Sequence, residues 1–105
     1  MNIGKISIII PYYKKSFFIV DSINSILKQT YSIFEIIIVV DENNDESNEL
    51  LKKIVRLDSR IRLLTNEKNI GAGKSRNKAI NFAVGEFIAF CDSDDLWKNE
   101  KLEMQ

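Results

Sequence analysis

Short apolar runs that end in polar segments constrain the fold of this 105-residue chain more than any other feature. The runs at Lys5–Ile10, Phe34–Val40 and Glu86–Cys91 are rich in Ile, Val and Phe, and are too short for core helices. They predict buried strands, and Ile61–Thr65 predicts a further one. We expect Pro11 to end the first strand, because proline cannot donate a hydrogen bond to a neighbouring strand.

Helical patterns separate these strands. Apolar residues recur at helical spacing in Ser16–Gln29 and Glu46–Asp58, and a third helix is expected over Lys74–Val84, closed by Gly85. The alternation predicts an α/β, Rossmann-like fold in which a mainly parallel sheet carries helices on both faces. Because 45% of the residues are hydrophobic and no linker interrupts the pattern, residues 1–105 are expected to form one small domain.

Charge and cysteine content exclude several classes of protein. Fifteen Lys and Arg residues balance fifteen Asp and Glu residues, so we expect no nucleic-acid partner. Cys91 is the only cysteine, which excludes an internal disulfide and suits a small buried side chain in a reducing compartment. No apolar run approaches the roughly 20 residues that span a bilayer, so we expect a cytoplasmic protein without a signal peptide or transmembrane helix.

The candidate site lies at the carboxyl ends of the predicted strands, where open parallel sheets bind their ligands. There, Tyr12, Tyr13 and Asp41 suit a nucleobase, because a ring can stack on it and a carboxylate accepts hydrogen bonds from its N–H groups. The structural alternatives are a tyrosine pair at the edge of the core and an aspartate N-cap. Lys74 and Arg76, at the start of a helix, either receive anionic oxygens or remain solvated.

Three carboxylates, those of Asp92, Asp94 and Asp95, directly follow the last predicted strand. Unpaired, they would repel one another and raise each other's pKa values, whereas a divalent metal with a bound diphosphate would stabilise them. The structural alternative is a solvated helix N-terminus. The position at a strand end favours metal-assisted handling of a phosphorylated ligand.

Several motifs occur together and in register. They are Ser7–Tyr13, Gln29–Tyr31, Phe34–Val39, Asn69–Gly71, Arg76–Asn77, Gly85–Ile88 and Asp92–Trp97. In content, order and spacing they resemble the nucleotide-binding half of family 2 glycosyltransferases of the GT-A fold. The resemblance covers essentially the whole chain.

The resemblance implies an inverting transferase that moves a sugar from a nucleotide-diphosphate sugar, with a UDP-sugar expected, to a carbohydrate or glycolipid acceptor. The implied setting is polysaccharide or lipopolysaccharide assembly in the cytoplasm, with peripheral attachment at the inner face of the membrane. The implied nucleotide-sugar-binding residues are Pro11, Tyr12, Tyr13, Asp41, Gly71, Arg76, Asp92 and Ser93. Mn²⁺ or Mg²⁺ is assigned to Asp92 and Asp94, the DxD motif of the family.

The chain departs from the family pattern in two respects. One acid of the usual pair after the second strand is missing, although Asp41 occupies the position of the more important one. Family domains also continue for roughly another hundred residues that supply the acceptor pocket and the general base. We therefore expect the base beyond Gln105, and expect this truncated chain to bind the donor with little or no transfer by itself.

Two alternatives remain. Asp92 could be the nucleophile and Asp94 the acid/base of a haloacid-dehalogenase-like phosphatase, although Leu96 stands where that motif has Thr or Val. The chain could instead be a non-catalytic module that binds nucleotides or self-associates through an exposed sheet edge.

Overall fold

The computed structural model describes residues 2–13, 16–41, 45–66 and 70–91. Strands and helices alternate along this part of the chain, as predicted. Their order is β1 (Asn2–Tyr12), α1 (Ser16–Leu27), β2 (Phe34–Val40), α2 (Asp45–Val55), β3 (Ile61–Thr65), α3 (Ala72–Phe82) and β4 (Gly85–Phe90).

The strands form one sheet in the order β3-β2-β1-β4, and every neighbouring pair is parallel. In the register of the sheet, Ile8 of β1 pairs with Ile36 of β2 and with Ala89 of β4. All seven residues of β2 are buried, as a continuous apolar run predicts for an interior strand. The structure confirms the α/β, Rossmann-like prediction.

Helices cover both faces of the sheet. One face packs against α1 and α2, which contribute Ile19, Ile23, Ile26, Leu51 and Ile54 to the larger apolar core. The other face packs against α3, where Ala79 contacts a smaller core that includes Ile9, Ile37 and Val39. The small Ala79 side chain, which is fully buried, lets α3 approach the centre of the sheet closely.

β1 continues through Pro11, so the expectation that this proline ends the strand is wrong. Pro11 pairs with Val39 of β2. In this part of β1, the backbone N–H and C=O groups of odd-numbered residues face β4. The Ile9 carbonyl, for example, accepts a hydrogen bond from the Cys91 amide at 3.0 Å. The amide hydrogen that Pro11 lacks would therefore also face β4. Pro11 lies beyond the last described pair on that side, Ile9 with Phe90, and removes no described hydrogen bond of the sheet.

The helices end earlier than apolar spacing predicts. The predicted and observed last residues are Gln29 and Leu27 for α1, Asp58 and Val55 for α2, and Val84 and Phe82 for α3. The chain leaves α1 and α2 through tight turns, and it leaves α3 at Ala83, which is extended with φ −69° and ψ 142°. Within the described ranges, none of the helices has the length and hydropathy to cross a membrane.

A buried polar cluster joins the amino edge of the sheet to the start of β4. Glu35 of β2 is 3% exposed. Its Oε2 accepts hydrogen bonds from the Ser7 hydroxyl at 2.5 Å and the Val84 amide at 2.9 Å, and its Oε1 accepts one from Arg62 at 2.8 Å. The Gly85 amide donates to the Ser7 hydroxyl at 2.8 Å. Gly85 therefore begins β4 inside this Glu35 cluster. The expectation that Gly85 closes the third helix is wrong, because α3 ends at Phe82.

The outer strand β4 carries large apolar side chains that the described residues leave exposed. Phe87 is 56% exposed, Ile88 40% and Phe90 50%, and we call these three residues the β4 surface. In contrast, Cys91, the next residue after β4, is 1% exposed and packs into the larger core, as predicted for this cysteine.

Candidate functional site

The ends of β1, β2 and β3 meet at the carboxyl edge of the sheet. The Asp41 amide donates to the Tyr12 carbonyl at 2.9 Å, and the Asn66 amide donates to the Val40 carbonyl at 2.8 Å. The strand order also reverses at β1, since the chain moves outward through β2 and β3 and then returns to place β4 on the other side. Open parallel sheets bind ligands at such a reversal, beyond the carboxyl ends of the strands.

Asp41 connects β2 to the start of α3. Its carboxylate is buried, with 5% of the residue exposed. Oδ1 accepts hydrogen bonds from the Ile70 amide at 2.8 Å and from the Asn66 side chain at 3.0 Å, and Oδ2 accepts one from the Gly71 amide at 2.9 Å. As an N-cap, Asp41 was expected to cap α2. Its carboxylate instead accepts hydrogen bonds from the Ile70 and Gly71 amides at the start of α3.

The Asp41 carboxylate is held in its charged form. Burial raises the pKa of this carboxyl, but hydrogen bonds from the Ile70 amide, the Asn66 side chain, the Gly71 amide and the Ser75 side chain outweigh that effect. The net result is a pKa below the usual range. The site therefore keeps a buried anion at neutral pH.

Gly71 has a backbone conformation that favours glycine. It precedes α3 with φ 91° and ψ 156°, a region that side chains with a Cβ rarely adopt. The Gly71 amide donates to the Asp41 side chain, which satisfies this amide at the start of α3. The direction in which α3 leaves the sheet thus depends on one glycine and one carboxylate.

Further polar residues support Asp41, and the sequence analysis did not assign them a role. Asn66, which follows β3, is 3% exposed and donates from its side-chain amide to Asp41 and, at 3.0 Å, to the Ser75 hydroxyl. The Asn66 side-chain carbonyl accepts a hydrogen bond from Lys78 at 2.8 Å. The sequence feature that could have indicated this role is that Asp41 and Asn66 directly follow two neighbouring strands of a parallel sheet.

The structure places the predicted nucleotide-binding residues at different depths. Tyr12 is fully buried in the larger core, so its ring has no open face there, whereas Tyr13 is 43% exposed at the end of β1. Pro11 is half-buried within β1, and Arg76 is half-buried in the second turn of α3. Gly71 is brought into contact with Asp41.

The predicted metal-binding residues Asp92 and Asp94, together with Ser93, lie outside the described residues. Within residues 2–13, 16–41, 45–66 and 70–91, no three side chains of the metal-binding types His, Cys, Asp and Glu cluster together. A metal site at the DxD motif therefore stays a prediction from the sequence.

Comparison with known proteins identifies the family. A sequence profile described as glycosyl transferase family 2 matches residues 7–105. The chain belongs to glycosyl transferase family 2. This membership confirms the resemblance and gives no support to the phosphatase alternative.

Two curated relatives illustrate how much of a family 2 glycosyltransferase the chain represents. It is 49% identical over 100 residues to the UDP-Glc:alpha-D-GlcNAc-diphosphoundecaprenol beta-1,3-glucosyltransferase WfgD of Escherichia coli, a match that covers 95% of this chain and 39% of WfgD. It is 41% identical over 100 residues to the putative teichuronic acid biosynthesis glycosyltransferase TuaG of Bacillus subtilis (strain 168), covering 95% of this chain and 40% of TuaG. The chain thus spans about two fifths of the length of these relatives.

Solved structures show the same fold. The crystal structure of residues 1–349 of S. aureus TarS in complex with UDP-GlcNAc matches with a TM-score of 0.85 and 35% sequence identity. The match covers 95% of this chain and 29% of the TarS chain. The parallel sheet with its helices is therefore the amino-terminal part of a GT-A fold in this family 2 glycosyltransferase chain.

Proposed function

We propose that the chain forms the donor-binding part of a glycosyltransferase that moves a sugar from a UDP-sugar to a carbohydrate or glycolipid acceptor. One observation carries the proposal: Asp41 and the start of α3 are joined at the carboxyl edge of the sheet, in a chain 35% identical to TarS, which was crystallised with UDP-GlcNAc. The named donor of WfgD is also a UDP-sugar, which favours uracil over other bases.

The proposed donor site uses groups at the carboxyl edge. Tyr13 offers a partly exposed ring for the base, and the ionised Asp41 carboxylate, which is buried, holds the Ile70 and Gly71 amides at the same edge of the sheet. Arg76, one turn inside α3, supplies a planar cation suited to diphosphate oxygens. Tyr12 and Pro11 contribute through the backbone path of β1, since the Tyr12 ring is buried.

Asp92 and Asp94 would hold the metal ion, because hard divalent cations such as Mn²⁺ and Mg²⁺ prefer carboxylate oxygens. When bound, the ion would neutralise charge on the departing nucleoside diphosphate and orient the sugar. Cys91 anchors the chain directly before these acids through its hydrogen bond with the Ile9 carbonyl at 3.0 Å. Ser93 completes the proposed contacts with the nucleotide sugar.

The names of the relatives support the proposed acceptor and setting. WfgD is named for a diphosphoundecaprenol-linked acceptor and TuaG for teichuronic acid biosynthesis, which support a role in cell-surface polysaccharide assembly. For such an acceptor we propose a cytoplasmic enzyme attached peripherally at the inner face of the membrane. We further propose an inverting reaction whose general base lies outside the 105 residues, so that this chain alone binds the donor and transfers little sugar.

Calorimetric titration tests the donor site. We expect UDP to bind more tightly than GDP or dTDP in the presence of Mn²⁺, and Asp94→Ala to weaken UDP binding at least ~10-fold, since it removes one of two carboxylate ligands. Without metal, the wild-type chain and Asp94→Ala should bind UDP equally.

The control for this experiment is Asp21→Ala on α1, which removes the same charge from an exposed position. It should leave UDP affinity unchanged. If UDP binds equally well to the wild type and to Asp94→Ala in Mn²⁺, the metal assignment is wrong. If a folded wild-type chain binds none of the three nucleotides, the donor-site proposal is wrong for this chain.

The exposed β4 surface favours a second proposal, that the chain self-associates through this edge. Phe87, Ile88 and Phe90 expose large apolar areas on a strand whose outer edge has no described neighbour in the sheet.

We expect the sedimentation coefficient of the wild type to rise with protein concentration and that of Phe90→Glu to stay constant. Phe18→Glu is a matched control, because Phe18 on α1 and Phe90 are both 50% exposed. Equal behaviour of the two variants would contradict association through β4.

A further inference from the structure

We infer that Asn66 is a positioning residue for the proposed donor site, and that it acts by coupling Lys78 to the Asp41 carboxylate. The inference rests on the proposed function, because it concerns how Asp41 is presented to a nucleotide. Its first basis is placement: Asn66 ends β3 at the carboxyl edge, where its backbone amide is fixed by the Val40 carbonyl at 2.8 Å.

Every polar group of the Asn66 side chain is engaged. The two amide hydrogens are directed to Asp41 Oδ1 and Ser75 Oγ, each at 3.0 Å, and the carbonyl oxygen accepts from Lys78 Nζ at 2.8 Å. A side chain that is 3% exposed and fully engaged in this way has one orientation.

The charges on either side fix that orientation. An ammonium group only donates hydrogen bonds and a carboxylate only accepts them, so the Asn66 carbonyl must face Lys78 and its NH₂ group must face Asp41. A neutral amide is the side chain that satisfies both neighbours at once. Asn66 therefore links a cation on α3 to an anion at the end of β2.

This link sets the geometry of the donor site. The same Asp41 carboxylate that Asn66 contacts also accepts from the Ile70 and Gly71 amides, which lead into α3 and towards Arg76. A rotation of the Asp41 carboxylate would move both its own acceptor atoms and the start of α3. Asn66 thus acts on the nucleotide through Asp41 and needs no contact with it.

Asn66→Asp gives a specific test, because it places two acceptor-only groups against each other while keeping the size of the side chain. Among the described neighbours of this pair, Lys78 on α3 is the charged one. The Tyr12 carbonyl from β1 and the Ser75 hydroxyl from α3 are neutral. Two adjacent carboxylates would share a proton as the pH falls.

The measurement is the ratio of the UDP-glucose dissociation constants of Asn66→Asp and the wild type, taken by calorimetry from about pH 8 to about pH 5.5. We expect a ratio of about 10 at the upper end that falls towards 1 at the lower end, as the shared proton restores a hydrogen bond between residues 66 and 41. Taking the ratio removes the ionisation of the ligand. Asn24→Asp, the same change at an exposed position of α1, should give a ratio near 1 throughout.

Lys78→Met provides a second variant, because it keeps the side-chain stem of an exposed residue and removes the donor to Asn66. We expect carboxyl NMR of Lys78→Met to give a raised pKa for Asp41 relative to the wild type, a result that does not depend on nucleotide binding. A ratio independent of pH for Asn66→Asp, or an unchanged Asp41 pKa in Lys78→Met, would overturn the inference. Failure of the wild type to bind UDP-glucose would instead contradict the proposed function, and the Asp41 pKa would still decide whether Lys78 acts on Asp41.

Discussion

Gly85→Ala is expected to lower the free energy of unfolding by about 3 kcal/mol or more, because the added methyl group has no space. A Cβ at Gly85 would lie 2.5 Å from Ser7 Oγ, 2.8 Å from the Ser7 backbone nitrogen and 2.9 Å from the Lys5 carbonyl oxygen. Two of these atoms are backbone of the central strand β1, and Ser7 is fully buried. The clash can be relieved only by moving β4 away from β1.

Urea unfolding followed by circular dichroism measures this effect. Gly73→Ala is the matched control, since a Cβ there would meet no heavy atom within 4 Å and Gly73 lies within α3. The control should be neutral or up to about 1 kcal/mol more stable, because alanine favours a helix more than glycine does. Similar stabilities for the two variants would show that β4 can shift at little cost.

Glu35→Ala is expected to lower the free energy of unfolding by about 3 kcal/mol, through loss of hydrogen-bond acceptors and a cavity. Within the Glu35 cluster, the Ser7 hydroxyl and the Val84 amide would lose their acceptor, and Arg62 would lose its ion pair at 2.8 Å. The Arg62 side chain is 37% exposed and can turn to water, so its share of the loss is small. Glu49→Ala on the exposed side of α2 is the control and should change stability by less than about 0.5 kcal/mol.

The Glu35 cluster also predicts how stability depends on pH. Burial raises the pKa of the Glu35 carboxyl. Hydrogen bonds from Ser7, Val84 and Arg62, together with the charge of Arg62, lower this pKa by a larger amount, so the net pKa lies below its ordinary value of 4.5. A lowered pKa means that the stabilisation is complete above the unfolded-state value and is lost as the pH falls through the folded-state value. The difference in stability between wild type and Glu35→Ala should therefore shrink below about pH 4.5. A constant difference during acid titration would contradict this account.

The strands could be predicted from the sequence because buried parallel strands are nearly continuous apolar runs. The limits of the helices and the role of Pro11 could not, since they depend on turn geometry and on which neighbour each backbone group faces. That Asp41 and Gly71 lie at one edge of the sheet followed in outline from the rule that strand ends share an edge, whereas the hydrogen bonds of Asn66 did not.

The buried polar clusters show what sequence patterns leave undetermined. Glu35 stands inside an apolar run, and only the fold brings Ser7, Arg62 and Val84 to its carboxylate. Likewise, Lys78 belongs to a solvated helix face by its spacing, although its ammonium group reaches Asn66. Such partners are distant along the chain, and local periodicity carries no information about them.

Because Cys91 is buried, the reactivity of its thiol reports local opening of the structure in each variant. As the only thiol of the chain, with 1% of the residue exposed, it should react with an aromatic disulfide reagent only when the end of β4 separates from β1. The modification rate at low denaturant therefore measures local opening beside Asp92, whereas circular dichroism measures global unfolding. A variant that changes nucleotide affinity but leaves this rate unchanged acts at the site itself. A variant that raises the rate destabilises the structure around the site. The protein needs no added label for this measurement.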